Sequence, residues 1–148
     1  DTCMDFVPIH GDLHRLNLIQ TEEEGDFWVV DFDDCLWGAE IHDLWLLASG
    51  CNLMDARTER PVAEEALDCL LDGYSEFRNM PEGSQLLIEP LRTLRMIYYV
   101  GWIAKRWSYD ALFQETFSFF KETQYWERTL HDLELQQDVL ARKNLLDS

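Results

Sequence analysis

Two rhythms divide the chain near residue 40. Before it, apolar residues come in short blocks. Leu16-Asn17-Leu18-Ile19 is one, and Phe27-Trp28-Val29-Val30 is the other. Between them, residues 21–26 (Thr-Glu-Glu-Glu-Gly-Asp) are turn chemistry, with Gly25 free to take a positive φ. Two short runs joined by a polar turn predict a β-hairpin. Asp31-Phe32-Asp33-Asp34 follows, then an irregular stretch to Gly38.

From Ile41 onward the spacing is helical. Ile41, Leu44, Trp45, Leu47 and Ala48 share one face, with Gly50 as a stop. Residues 51–60 read as a loop. Pro61 suits the first turn of a second helix, where its missing N–H would be unpaired anyway, and Glu64 and Glu65 complement the dipole there. Ala63, Leu67, Leu70, Tyr74 and Phe77 form its stripe, broken by residues 79–84. A third helix is predicted from about Leu86 to Trp107. Its segment Met96–Ala104 is apolar on nearly every side, so a buried central helix is expected. Residues 110–120 form an aromatic-rich helix or turn. A last amphipathic helix covers 122–142, with Tyr125, Trp126, Leu130, Leu133 and Val139 on its apolar side. The fold class is α+β, mainly helical, with a small β-hairpin ahead of a helical body.

Composition narrows the function. Of 148 residues, 47% are apolar and 13% aromatic, enough for a packed core. The net charge is −17, and residues 1–74 hold 18 acidic against three basic side chains. A chain this acidic, without a basic tract, excludes nucleic acid and anionic membranes as partners, because both need Lys and Arg. The longest apolar run, Met96 to Ala104, is about half of what a membrane-spanning helix needs. No signal peptide is recognisable at the start, so a cytoplasmic protein is expected. The chain begins Asp1-Thr2-Cys3 without Met and reads as a fragment. Cysteines 3, 35, 51 and 69 have no zinc-finger spacing and fit small apolar fillers in a reducing compartment.

The chemistry concentrates in His10-Gly11-Asp12-Leu13-His14-Arg15-Leu16-Asn17 and, further on, Val30-Asp31. Asp12 and Asn17 lie five apart on a loop that feeds one strand of the hairpin, and Asp31 ends the other. A hairpin sets its outer ends side by side, so two carboxylates and an amide oxygen can converge. These are hard oxygen ligands, suited to a Mg²⁺ that keeps waters and binds substrate phosphates. Phosphoryl transfer reuses those parts: a carboxylate orienting the attacking hydroxyl, and an Asn and an Asp on the metal.

H-G-D-x-x-x-x-N followed by a strand ending in Asp resembles the catalytic and metal-binding loops of the aminoglycoside phosphotransferase and choline kinase superfamily, relatives of the protein kinases. Residues 29–45 (Val-Val-Asp-Phe-Asp-Asp-Cys-Leu-Trp-Gly-Ala-Glu-Ile-His-Asp-Leu-Trp) resemble one branch, the bacterial stress response kinase A family of serine/threonine protein kinases. Residues 87–107 and the aromatic segment through Tyr125-Trp126 are similar to that family too. The resemblance runs from about residue 7 to 130 and covers the family's C-terminal lobe alone. It implies a kinase-like C-lobe over residues 1–148, with a catalytic loop at 9–19, a metal-binding loop at 29–38 and a helical body at 41–142. The N-lobe, with its Gly-rich loop, phosphate-binding Lys and hinge, is absent.

By the same resemblance, Asp12 is the aspartate that orients the acceptor hydroxyl, and Asn17 and Asp31 are the Mg²⁺ ligands. His14 faces the γ-phosphate of ATP, Ile19 and Val30 line the floor beneath the adenine, His10 braces the loop, and Asp43 hydrogen-bonds the catalytic-loop backbone. Leu16 departs from the small residue that many members place before the Asn. Asp33 and Asp34 stay open between metal contact and solvated loop. His42 and His131 read as exposed or capping residues. The implied activity is ATP- and Mg-dependent transfer to a hydroxyl, of a protein Ser/Thr or of a small alcohol such as an aminoglycoside, choline or homoserine. The alternative is a kinase-derived interaction module without turnover. This piece alone is expected to be inactive.

Overall fold

The computed structural model describes residues 6–22, 25–49 and 60–146, except the side chains of 60–63 and 143–146. Cys3, Gly50, Cys51 and residues 51–59 of the loop predicted at 51–60 lie outside the described residues; Arg60 begins a helix instead. The architecture is α+β and mainly helical, with small antiparallel β elements. The chain divides into two compact units, Asp1–Ile88 and Glu89–Ser148.

In the first unit the predicted hairpin is present as β2 (Leu18–Gln20) paired with β3 (Phe27–Val29), Leu18 opposite Val29. Its turn closes through the Thr21 N–H donating to the Asp26 carbonyl at 3.0 Å, and Gly25 takes φ +93°. A second antiparallel pair was not expected. β1 (Val7–Ile9) pairs with β4 (Leu36–Gly38), Ile9 opposite Leu36, within the stretch read as irregular. Three-residue strands carry too little alternation to be recognised, and their pairing spans about thirty residues of chain.

Helix α1 (Ile41–Ser49) follows directly and packs on α2 (Arg60–Ser75), whose first turn holds Pro61. Ile41, Trp45 and Leu46 are at most 2% exposed, each contributing about 1.5–3 kcal/mol by burial. Leu46 thus belongs to the inner face instead of Leu44 and Leu47, which are half-buried. On α2, Leu67 is buried, whereas Phe77, two residues past the helix end, is 89% exposed and leaves the predicted stripe.

The second unit is a set of helices: α3 (Ile88–Arg106), α4 (Ala111–Thr116) and α5 (Thr123–Leu146). Asp110 caps α4, accepting from the Phe113 N–H at 2.6 Å. Trp102 meets Phe113 and Phe117 at 5.5 and 5.6 Å, and Phe119 packs on Tyr125 at 5.1 Å. The late aromatics thus pack on one another, but only Tyr125 is buried; Trp102, Phe113, Phe117 and Phe119 are half-buried, and Tyr98, Tyr109 and Trp126 are exposed, so the expected aromatic core is only partly formed. The buried face also carries polar groups: Gln136 Nε2 donates to Glu89 Oε2 at 2.7 Å. The expectation that α3 is buried all round fails. Met96 and Ile103 are buried, but Leu94, Ile97 and Tyr98 are 56–63% exposed. On α5, Leu130 is likewise exposed, while Thr129 and Gln136 face inward. A helix covered on one side only keeps its other face in water whatever its composition, and composition alone does not say which face finds a partner.

Candidate active site

The segment between β1 and β2 is built around one carboxylate. Asp43, in the first turn of α1, accepts the His10 N–H on Oδ2 at 2.6 Å and the Gly11 N–H on Oδ1 at 3.0 Å. Helix α1 thereby holds the 10–11 backbone through Asp43. Burial pushes the Asp43 carboxyl up, but His42 and the two backbone N–H groups outweigh it, and the carboxyl rests below its ordinary value. His42 is not an exposed residue: it is half-buried, its Nδ1 3.5 Å from Asp43 Oδ1.

His10 is buried and braces the loop from inside. Its Nδ1 accepts the Asp12 N–H at 3.3 Å, so Nε2 carries the proton and donates to the Val30 carbonyl at 2.9 Å. The His10 ring thus ties the 10–12 segment to the end of the hairpin. Phe32 leans on the same ring, 4.9 Å between centroids.

Gly11 takes φ +81°, and a Cβ there would lie 2.3 Å from the Asp34 carbonyl oxygen and 2.6 Å from Leu36 Cδ2. The 10–12 segment and the stretch after Asp31 approach so closely at this point that only glycine fits.

Asn17 is buried, and its Nδ2 donates to the Asp12 carbonyl at 2.9 Å, leaving Oδ1 as the amide atom suited to a cation. Its own carbonyl accepts the Val30 N–H at 3.0 Å, extending the hairpin pairing by one step. Asp31 follows Val30, so Asn17 and Asp31 do occupy adjoining ends of the hairpin. Asp31 is the one described non-glycine residue with a positive φ, 66°. The left-handed region costs an L-residue free energy, with Asn and Asp among the most tolerant, and such strain concentrates at functional sites.

Asp12 has a side chain 20% exposed, with His14 Nε2 3.5 Å from Oδ2. His14 Nδ1 is buried without a hydrogen-bond partner. Ile19 is 52% exposed on β2, Val30 is half-buried, and Leu16 is 75% exposed. Asp33 and Asp34 lie exposed in a short 3-10 helix after Asp31. Among the described residues no three His, Cys, Asp or Glu side chains gather closely enough to hold a metal. The predicted set has two carboxylates and an amide, a donor chemistry that fits a Mg²⁺ completing its shell with water and phosphate. Cys35 and Cys69 are exposed free thiols, not the buried fillers expected.

A third cluster had no sequence signal. Glu40, just before α1, is 7% exposed. Tyr74 Oη donates to its Oε2 at 2.6 Å, and Arg78 Nη2 lies 2.6 Å from its Oε1. Burial, then the hydrogen bond to Glu40, pushes the Tyr74 phenol up to about 12. Nothing local pairs an acid at 40 with side chains at 74 and 78.

Comparison with known proteins gives this arrangement a setting. Residues 3–83 match the model of a phosphotransferase enzyme family. Stress response kinase A of Escherichia coli (strain K12) is 32% identical over 137 residues, covering 93% of this chain and 38% of that protein. Serine/threonine protein kinase RdoA of Salmonella typhimurium (strain LT2) is 32% identical over 126 residues, 84% of this chain and 35% of its own length. The chain therefore spans under two fifths of the relatives it matches. No helix among the described residues is long and apolar enough to cross a membrane.

Proposed function

The chain belongs to the phosphotransferase enzyme family, and from that premise we propose that the protein carrying it is an ATP- and Mg-dependent kinase acting on protein serine or threonine. The observation that supports this most is the backbone scaffold of the loop. Asp43 holds His10 and Gly11, His10 bridges Asp12 to Val30, and Asn17 is fixed on the Asp12 carbonyl. Such a scaffold supports a reading in which Asp12, Asn17 and Asp31 act together, as in-line phosphoryl transfer requires.

In this reading Asp12 accepts and orients the proton of the acceptor hydroxyl. The hydroxyl oxygen bonds to the γ-phosphorus as the β–γ bridging P–O bond breaks, leaving ADP. Asn17 Oδ1 and Asp31 would hold Mg²⁺, which would supply positive charge against the phosphates of ATP. His14, beside Asp12, faces the γ-phosphate. Ile19 and Val30 underlie the adenine, and the exposure of Ile19 suits a surface that receives a ligand. The other half of the nucleotide cleft, the N-lobe, lies outside these 148 residues, which form the C-lobe and have no turnover of their own. A protein Ser/Thr acceptor is suggested by the Salmonella relative, a serine/threonine protein kinase. The free thiols and the use of ATP suit the cytoplasm.

The test is Asp12→Ala in the full-length protein, with phosphate transfer from Mg·ATP as the readout. Transfer is expected to fall by at least about a thousandfold with the fold intact, on the scale of removing a group that acts in the transition state. Retained transfer would refute the role of Asp12.

A further inference from the structure

We infer that Arg78 is a positioning residue for this chemistry: by holding Glu40 it fixes the first turn of α1, and through Asp43 the loop that carries Asp12. This rests on the reading of Asp12 given above. The links are all short. Arg78 Nη2 lies 2.6 Å from Glu40 Oε1, and Tyr74 Oη donates to Oε2 at 2.6 Å. Glu40 is the residue immediately before α1, and Asp43 sits within one turn of it. Asp43 in turn accepts the backbone N–H groups of His10 and Gly11 at 2.6 and 3.0 Å, next to Asp12.

The physical reason lies in the burial of Glu40. Its side chain is 4% exposed, whereas that of Arg78 is 53% exposed. The arginine reaches in from the surface to neutralise a carboxylate that has left water. Without it, Glu40 keeps one neutral donor, Tyr74, for a buried charge, which is a strongly unfavourable state. The least disruptive relief is to swing Glu40 outward. That unwinds the start of α1, where the Ala39 carbonyl accepts the His42 N–H at 3.0 Å, and Asp43 moves with it. A shift of about an ångström at a reacting group is enough to cost up to a hundredfold in rate. Arg78 therefore acts on the reaction from beyond the end of α2, with Glu40 and Asp43 as the connection.

The experiment uses the full-length protein and the Arg78→Gln, Arg78→Lys and Tyr74→Phe variants. Steady-state kinetics are read beside backbone hydrogen exchange of the His10–Gly11 segment. Arg78→Gln is expected to lower kcat about tenfold or more with KM for ATP within about twofold. Exchange at the His10 and Gly11 amides should accelerate at least about tenfold, since these two N–H groups end on Asp43. Arg78→Lys keeps the charge and should restore most of both. A lowered kcat with unchanged exchange at those two amides would make Arg78 merely structural and overturn the proposal, as would a kcat within twofold of wild type. If Arg78→Gln does not fold, Tyr74→Phe keeps the ion pair and is expected to move both readouts together by a smaller factor; movement of one alone overturns the proposal. An Asp12→Asn arm separates the two readings. Retained turnover there sinks the role of Asp12, while exchange at His10 and Gly11 still decides whether Arg78 orders the loop.

Discussion

Replacing Asp43 by asparagine in the full-length protein removes a charge while keeping the shape of the side chain. The carboxylate now takes two N–H donors, His10 at 2.6 Å and Gly11 at 3.0 Å, on its two oxygens. An amide has one oxygen, so one N–H must face an NH₂ group and lose its partner. Leaving a part-buried donor unpaired costs about 1–3 kcal/mol, and weakening the other bond from charged to neutral costs about 1 kcal/mol more. The expected loss is about 2–4 kcal/mol, read as a lower urea midpoint at unchanged slope. The pH dependence carries an independent signature. The folded-state carboxyl sits below its ordinary value of 3.8, so its stabilising contribution is complete above that value and lost as pH falls through the lower, folded one. The difference between wild type and variant should therefore be flat through neutral pH and shrink only below about pH 4. A loss under about 0.5 kcal/mol, or a difference that fades already between pH 5 and 7, would refute the claim that this carboxylate anchors the loop.

Gly11→Ala should cost about 2 kcal/mol or more and reduce phosphate transfer, because the new Cβ meets backbone at Asp34 as well as Leu36, whereas Gly25→Ala, with a similar φ of +93° but open space around it, should cost only about 1 kcal/mol in thermal or urea melts. Asp31→Gly should leave stability unchanged or raise it, by relief of the left-handed backbone, while abolishing transfer and weakening Mg²⁺ binding by titration; loss of stability without loss of transfer would remove Asp31 from the site. The Tyr74 phenol, raised from 10.0 to about 12, contributes stability that is complete below pH 10 and lost as pH rises toward 12, so melts of wild type and Tyr74→Phe should converge across that window.

The sites that sequence made legible share a property: their partners are near in the chain or fixed by local geometry. Asp12 and Asn17 are five residues apart, and the hairpin that sets the Asp31 end of the chain against Asn17 has its turn chemistry written in residues 21–26. The resemblance of 29–45 to a known family extended this to Asp43, at a separation of 33 residues from His10. Where neither local pattern nor resemblance reached, the reading failed. The strands β1 and β4 are three residues each and pair at long range. The same holds for Glu40 with Tyr74 and Arg78.

By itself, then, the sequence determined the positions of the hairpin and of most helices, the donor types at Asp12, Asn17 and Asp31, and the family, because turns, periodicity and donor type are properties of neighbouring residues. Tertiary structure alone decided which faces are covered. Leu46 turns inward where Leu44 was expected, Leu94, Ile97 and Tyr98 stay in water despite their composition, and Glu40 is buried against Arg78. Hydrophobicity says only that a side chain gains from burial. Whether it is buried depends on which element arrives to cover it, and that is set by packing between residues far apart in the chain.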